Sequence, residues 1–107
     1  MELSDLIKKA KDIRAEYSKL EKEKYGREWT APEIYHGFVG DVGDLGKIIM
    51  AKEGIREQEN IDQKLAHELS DCLWSILVLA DKYKINIEKS FTESMDQLER
   101  KIKDGSK

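Results

Sequence analysis

Four acidic residues stand in two pairs of equal spacing, Asp41/Asp44 and Glu68/Asp71. Each pair lies in a stretch that otherwise carries the apolar pattern of a helix. On an α-helix, residues three apart lie on one side, a turn apart, so each pair aims two carboxylates at one point. Two such helices packed face to face bring four carboxylates together. Four anions in a partly apolar setting cannot all stay charged without a cation. Oxygen ligands select a hard divalent ion, so Mg²⁺ is the expected partner, with Mn²⁺ as its substitute.

The positions of these acids within their helices support that reading. At about 100° per residue, Asp41 falls between Leu45 and Ile48, inside the apolar arc of its helix, and Asp44 lies at the edge of that arc. In the later helix Glu68 falls between Ser75 and Leu79, again on the apolar side, with Asp71 beside it. Ordinary surface acids face away from a core. Here both helices repeat one arrangement, an acid within the apolar face and a second acid at its border.

The elements that must carry the acids are legible in the apolar spacing. Leu3, Leu6, Ala10, Ile13, Tyr17 and Leu20 recur at three and four, a packing seam for a first helix capped by Ser4 and ending near Tyr25-Gly26. No chemistry is evident in it. Thr30-Ala-Pro-Glu33 is a start signal with a cap, a proline in the first turn and a capping-box glutamate. It opens a second helix expected to run to about Glu53 and stop at Gly54. Gly37, Gly40, Gly43 and Gly46 each cost that helix roughly 0.8–1 kcal/mol relative to alanine. The spacing of Ile34, Phe38, Val42, Leu45 and Ile49 nevertheless predicts helix. The glycines then serve to admit a neighbouring helix or to leave room for a ligand. Residues 55–61 form a polar connection, and a third helix runs from about Asp62 to Tyr83. Its Leu73–Ala80 half is apolar on nearly every side and must be covered all round. That demand predicts a homo-oligomer, a dimer or a tetramer. Asn86 caps a fourth helix with Ile87, Phe91, Met95, Leu98 and Ile102 on one face, followed by a frayed tail at about 104–107.

The chain of 107 residues is sized for one domain spanning 1–107. The expected fold is all-α, a four-helix bundle type completed by homo-oligomerisation. Its charges are mixed and sum to only −3, with no single-sign block that would mark a nucleic-acid or membrane-surface partner. The apolar run from Cys72 to Ala80 is far too short for a membrane span. The start Met-Glu-Leu-Ser-Asp lacks the pattern of a secretory signal. A lone cysteine, Cys72, excludes an internal disulfide. A reducing, cytoplasmic setting is expected.

At the acidic pairs the sequence resembles the MazG-like, all-α nucleotide pyrophosphohydrolases. The family pattern is Glu-Glu-x-x-Glu on one helix and Glu-x-x-Asp on the next. Here the first element reads Gly40-Asp41-Val42-Gly43-Asp44 and the second Glu68-Leu69-Ser70-Asp71. The segments Cys72 to Tyr83 and Ile85-Asn-Ile-Glu88 extend the likeness, which covers about residues 30–100. The second motif is a full match. In the first, glycine replaces the leading Glu and Asp replaces the other two.

The resemblance implies hydrolysis of a nucleoside triphosphate to the monophosphate and pyrophosphate, as in house-cleaning of the nucleotide pool. It implies Mg²⁺ held by Asp41, Asp44, Glu68 and Asp71, with Asp41 or Glu68 taking the proton of the attacking water. Lys47, Lys52 and Arg56, at and after the end of the second helix, are candidates for the phosphate oxygens. Trp29, just before the cap, is the best placed aromatic for a pocket wall; Tyr35, Phe38 and Trp74 read first as core or interface. His67 is expected to project away from Glu68. Two other readings compete. One is a non-catalytic relative that binds nucleotides or assembles helices after its first motif eroded. The other is a carboxylate-bridged di-iron bundle, which needs Glu-x-x-His pairs that neither acidic pair supplies.

Overall fold

The computed structural model describes residues 1–55 and 57–105. Among them stand four helices, α1 (Leu3–Tyr25), α2 (Ala31–Lys52), α3 (Ile61–Lys82) and α4 (Ile87–Lys103). The all-α expectation holds, and no strand occurs among the described residues. No helix there is long and apolar enough to cross a membrane.

Local chemistry sets the helix ends. Glu2, not Ser4, is the N-cap of α1, and its backbone N–H donates to Asp5 Oδ2 at 3.0 Å. A carboxylate one turn in outcompetes the serine that follows the cap. The chain leaves α1 through Gly26 in the left-handed region at φ 80°, where its N–H closes on the Lys22 carbonyl. Thr30 and Glu33 form the predicted capping box of α2. Arg27 adds a fork to Glu33 at 2.6 and 2.9 Å. Gly54 at φ 80° follows the end of α2. Asn60 takes the left-handed conformation before α3, which asparagine tolerates better than most residues. Asn86 Oδ1 accepts the Lys89 N–H at 3.1 Å and starts α4. Of the expected frayed tail, Asp104 caps α4 and Gly105 turns at φ 71°; residues 106–107 lie outside the described residues, as does Arg56.

The centre of the molecule is the α2–α3 pair, with α1 laid more sparsely on α3. Its core is Ile34, Ile48 and Ala51 of α2, Cys72, Leu77, Val78 and Ala80 of α3, and Ala10 of α1. The indole of Trp74 donates to the Ala10 carbonyl at 3.1 Å and tilts against Tyr17 with centroids 5.8 Å apart. Lys11 reaches Asp81 at 3.3 Å. These contacts hold α1 in place. Lys52 pairs with Asp62 across the α2–α3 connection at 2.5 Å.

No helix packs extensively against α4. Its Phe91, Met95, Leu98 and Ile102 stay exposed, Ile102 to 78%. Leu69, Leu73 and Ile76 of α3 are also uncovered. The radius of gyration is 17.1 Å, against about 13 Å for a closed single domain of this length. One copy therefore leaves much apolar surface in water.

The expectation that the α2 glycines admit a neighbouring helix does not hold within one copy. A Cβ at Gly40, Gly43 or Gly46 would meet nothing within 4 Å. At Gly37 it would lie 3.6 Å from the ring of Trp29, so that glycine faces an aromatic side chain and not a helix.

Candidate metal and substrate site

The antiparallel return of α3 along α2 sets the two acidic pairs side by side. Asp41, Asp44 and Glu68 each offer an oxygen, and these three lie within 4.8 Å of one another. His67, Glu68 and Asp71 form a second group with the same limit, so Glu68 belongs to both. One cation in each group would share the Glu68 carboxylate. Glu68 Oε2 is buried and has no hydrogen-bond partner. A buried acceptor without a donor is rare in a folded protein, and a bound ion is one standard explanation. The donor set is mostly carboxylate oxygen, which fits a hard divalent cation.

The electrostatics carry the mark of this crowding. Burial pushes the Asp41 carboxyl up, and the charges of Asp71 and Asp44 push it further. The buried Cys72 thiol is raised first by burial, then by Asp41, Glu68 and Asp71. Carboxylates from both helices thus act on one spot. Both shifts have the sign of negative charge packed where water is scarce.

His67 corrects an expectation. It does not project away from the acids: its Nε2 stands 3.2 Å from Asp71 Oδ2, one turn along the same helix. The ring is 71% exposed, so it joins the acids from the solvent side. The i to i+4 spacing of His67 and Asp71 was the signal for it.

Beside the acids opens a cavity of about 190 Å³. Asp41 and Asp71 border it at one level, Gly37, Trp74 and Ser75 at the next, and Ile34 and Val78 beyond them; Trp29 and Arg14 complete the wall. Trp29 is thus one of the residues lining this cavity. Its backbone N–H donates to Glu21 Oε1 at 2.8 Å. Glu21 in turn pairs with Arg14 two turns earlier on α1. So α1 does contribute to the site, and the i to i+7 spacing of Arg14 and Glu21 placed them on one face. Trp74 serves both the core and the cavity. Tyr35 is exposed and Phe38 half-buried, and neither lines the space.

The basic candidates separate. Lys47 is exposed one turn beyond Asp44 on α2. Lys52 is held by Asp62 and lines a different cleft with Gln58, Asn60 and Gln63. Its expected place beside the phosphates is not where its ammonium lies. Attraction to the carboxylate across the connection draws it to the turn instead.

Residues 40–105, more than half of the chain, match the family model of the MazG nucleotide pyrophosphohydrolase domain. No curated protein and no solved structure matches the chain.

Proposed function

The chain belongs to the MazG nucleotide pyrophosphohydrolase family, and on that premise we propose that it hydrolyses a nucleoside triphosphate to the monophosphate and pyrophosphate. The observation that carries this reading is the meeting of Asp41, Asp44 and Glu68 from two helices beside a cavity walled by Trp29 and Trp74. Asp41, Asp44, Glu68 and Asp71 would hold one or two Mg²⁺ ions, or Mn²⁺ in their place. When bound, the cations neutralise the triphosphate and polarise the phosphoryl oxygens. Glu68 or Asp41 takes a proton from the attacking water. The new bond forms between water oxygen and the α-phosphorus, the bond to the bridging oxygen breaks, and pyrophosphate leaves. The chemistry is positioning and charge neutralisation, so no side-chain nucleophile is needed. Lys47, one turn past Asp44, would meet the departing phosphates. Trp29 offers the base a face on which to stack.

The exposed apolar faces of α3 and α4 support a homodimer or homotetramer as the working form, since contiguous uncovered apolar surface marks an association site. Sedimentation of the full chain tests that form. The free, buried Cys72 suits a reducing cytoplasm.

A panel of canonical and modified triphosphates, assayed for pyrophosphate release with Mg²⁺ and with Mn²⁺, tests the activity. Turnover of at least one is expected. Gly40 favours a second reading, because the family's leading carboxylate is absent there. Folded protein that binds nucleotide and metal but is silent across the panel would establish a non-catalytic binding module.

A further inference from the structure

We propose that Arg14 selects the nucleobase, favouring bases with a keto oxygen over those with an amino group at the same ring position. The proposal rests on the triphosphate reading above and names the substrate class within it.

The cavity runs along α3 from Asp71 to Val78, seven residues or roughly 10 Å of helix. The acids stand at one end, where phosphates and metal belong. The sugar of a nucleotide sets its base apart from its phosphates, which places the base toward Trp74, Val78 and Arg14. At about 190 Å³ the space is below the roughly 300–1,000 Å³ that holds a whole drug-sized ligand. It suits one ring system with the rest of the nucleotide outside.

Arg14 is the cationic residue among those lining this cavity. Its side chain is only 14% exposed, beside Glu21 at 12%. The pair uses one terminal nitrogen, Nη2. Nε is buried without a hydrogen-bond partner, and among the described residues Nη1 makes no hydrogen bond either. A guanidinium only donates. A base edge carrying a carbonyl oxygen can accept from the guanidinium's unused terminal nitrogen, whereas an exocyclic amino group turns donor against donor. Glu21 holds both Arg14 and the Trp29 backbone, so the reader and the stacking wall are fixed by one carboxylate.

The test is tryptophan fluorescence titration of the full chain, in Mg²⁺, with two pairs of monophosphates that exchange a keto oxygen for an amino group: UMP with CMP, and IMP with AMP. The keto member of each pair is expected to bind at least about 10-fold tighter, the scale of a hydrogen bond to a charged group. Arg14→Lys keeps the charge that Glu21 needs but loses the planar fork. It should collapse both ratios toward one by weakening UMP and IMP more than CMP and AMP. Equal binding within the wild-type pairs overturns the proposal, as does a ratio that survives in Arg14→Lys. If that variant does not fold, the wild-type ratios decide alone. Triphosphate hydrolysis without keto preference defeats this inference and spares the hydrolase. Keto-selective binding without hydrolysis of any triphosphate does the reverse.

Discussion

Asp71 on α3 acts more strongly on the Asp41 carboxyl of α2 than Asp44 on Asp41's own helix does. Burial is the larger cause, and both acids add to it. The facing helix thus adds negative charge at Asp41, and Glu68 of that helix joins Asp41 and Asp44 within 4.8 Å, the arrangement a shared cation requires. The folded state holds the Asp41 proton more tightly than the unfolded chain, so the folded state binds more protons. In EDTA, the contribution of Asp41 to stability should fall as pH rises from the ordinary aspartate value of 3.8 through the raised value. Asp41→Asn removes that decline. Thermal melts across acidic and neutral pH, in EDTA, compare the two slopes; parallel slopes would refute the effect.

Gly37→Ala should separate stability from substrate binding. The added Cβ meets Trp29 at 3.6 Å, an ordinary contact. Helix propensity then raises stability by roughly 0.8–1 kcal/mol, measured by urea unfolding. The same methyl fills part of the cavity, so KM for a triphosphate should rise while kcat holds.

Glu33 ties the entrance of α2 to Arg27 and Thr30. Its carboxyl lies at about 2, below the ordinary 4.5, held down first by the Arg27 hydrogen bonds and then by the Thr30 backbone. A lowered folded value means that the stabilisation is present above the unfolded value and is lost as pH falls from 4.5 toward 2. Glu33→Gln should melt lower than wild type at neutral pH, and the gap should close in that acidic window.

Trp74 anchors α1 through its indole N–H. Trp74→Phe keeps the ring against Tyr17 and loses the bond to the Ala10 carbonyl. Denaturant unfolding should register a loss of about 0.5–1.5 kcal/mol. Trp74→Ala also opens a cavity, and roughly 3–5 kcal/mol is expected.

Much of this architecture was legible in the order of residues. The Thr30–Glu33 box, Gly26, Gly54 and Asn86 act locally, so they mark the helix ends without reference to the fold. The apolar spacing overrode four glycines in α2 because burial of one face outweighs their backbone entropy. The inward turn of Asp41 and Glu68 followed from the same periodicity. Other features depend on tertiary placement, which spacing does not convey. Lys52 goes to Asp62 because the α2–α3 turn brings that carboxylate close. Arg14 and Glu21 gain meaning only once Trp29 folds back over them. His67 is readable from its i to i+4 spacing to Asp71, although it lies outside the apolar arc of its helix.

Carboxylates from α2 and α3 are expected to share a divalent cation. Mn²⁺ binding to the full chain, followed by calorimetry or electron paramagnetic resonance, tests it most directly because it needs no substrate. Saturable binding is expected, weakened at least about 10-fold by Asp41→Asn on one helix and by Glu68→Gln on the other, with helical content unchanged in both. Mn²⁺ that binds the two variants as tightly as wild type, or that shows no saturable binding to the folded chain, would contradict it.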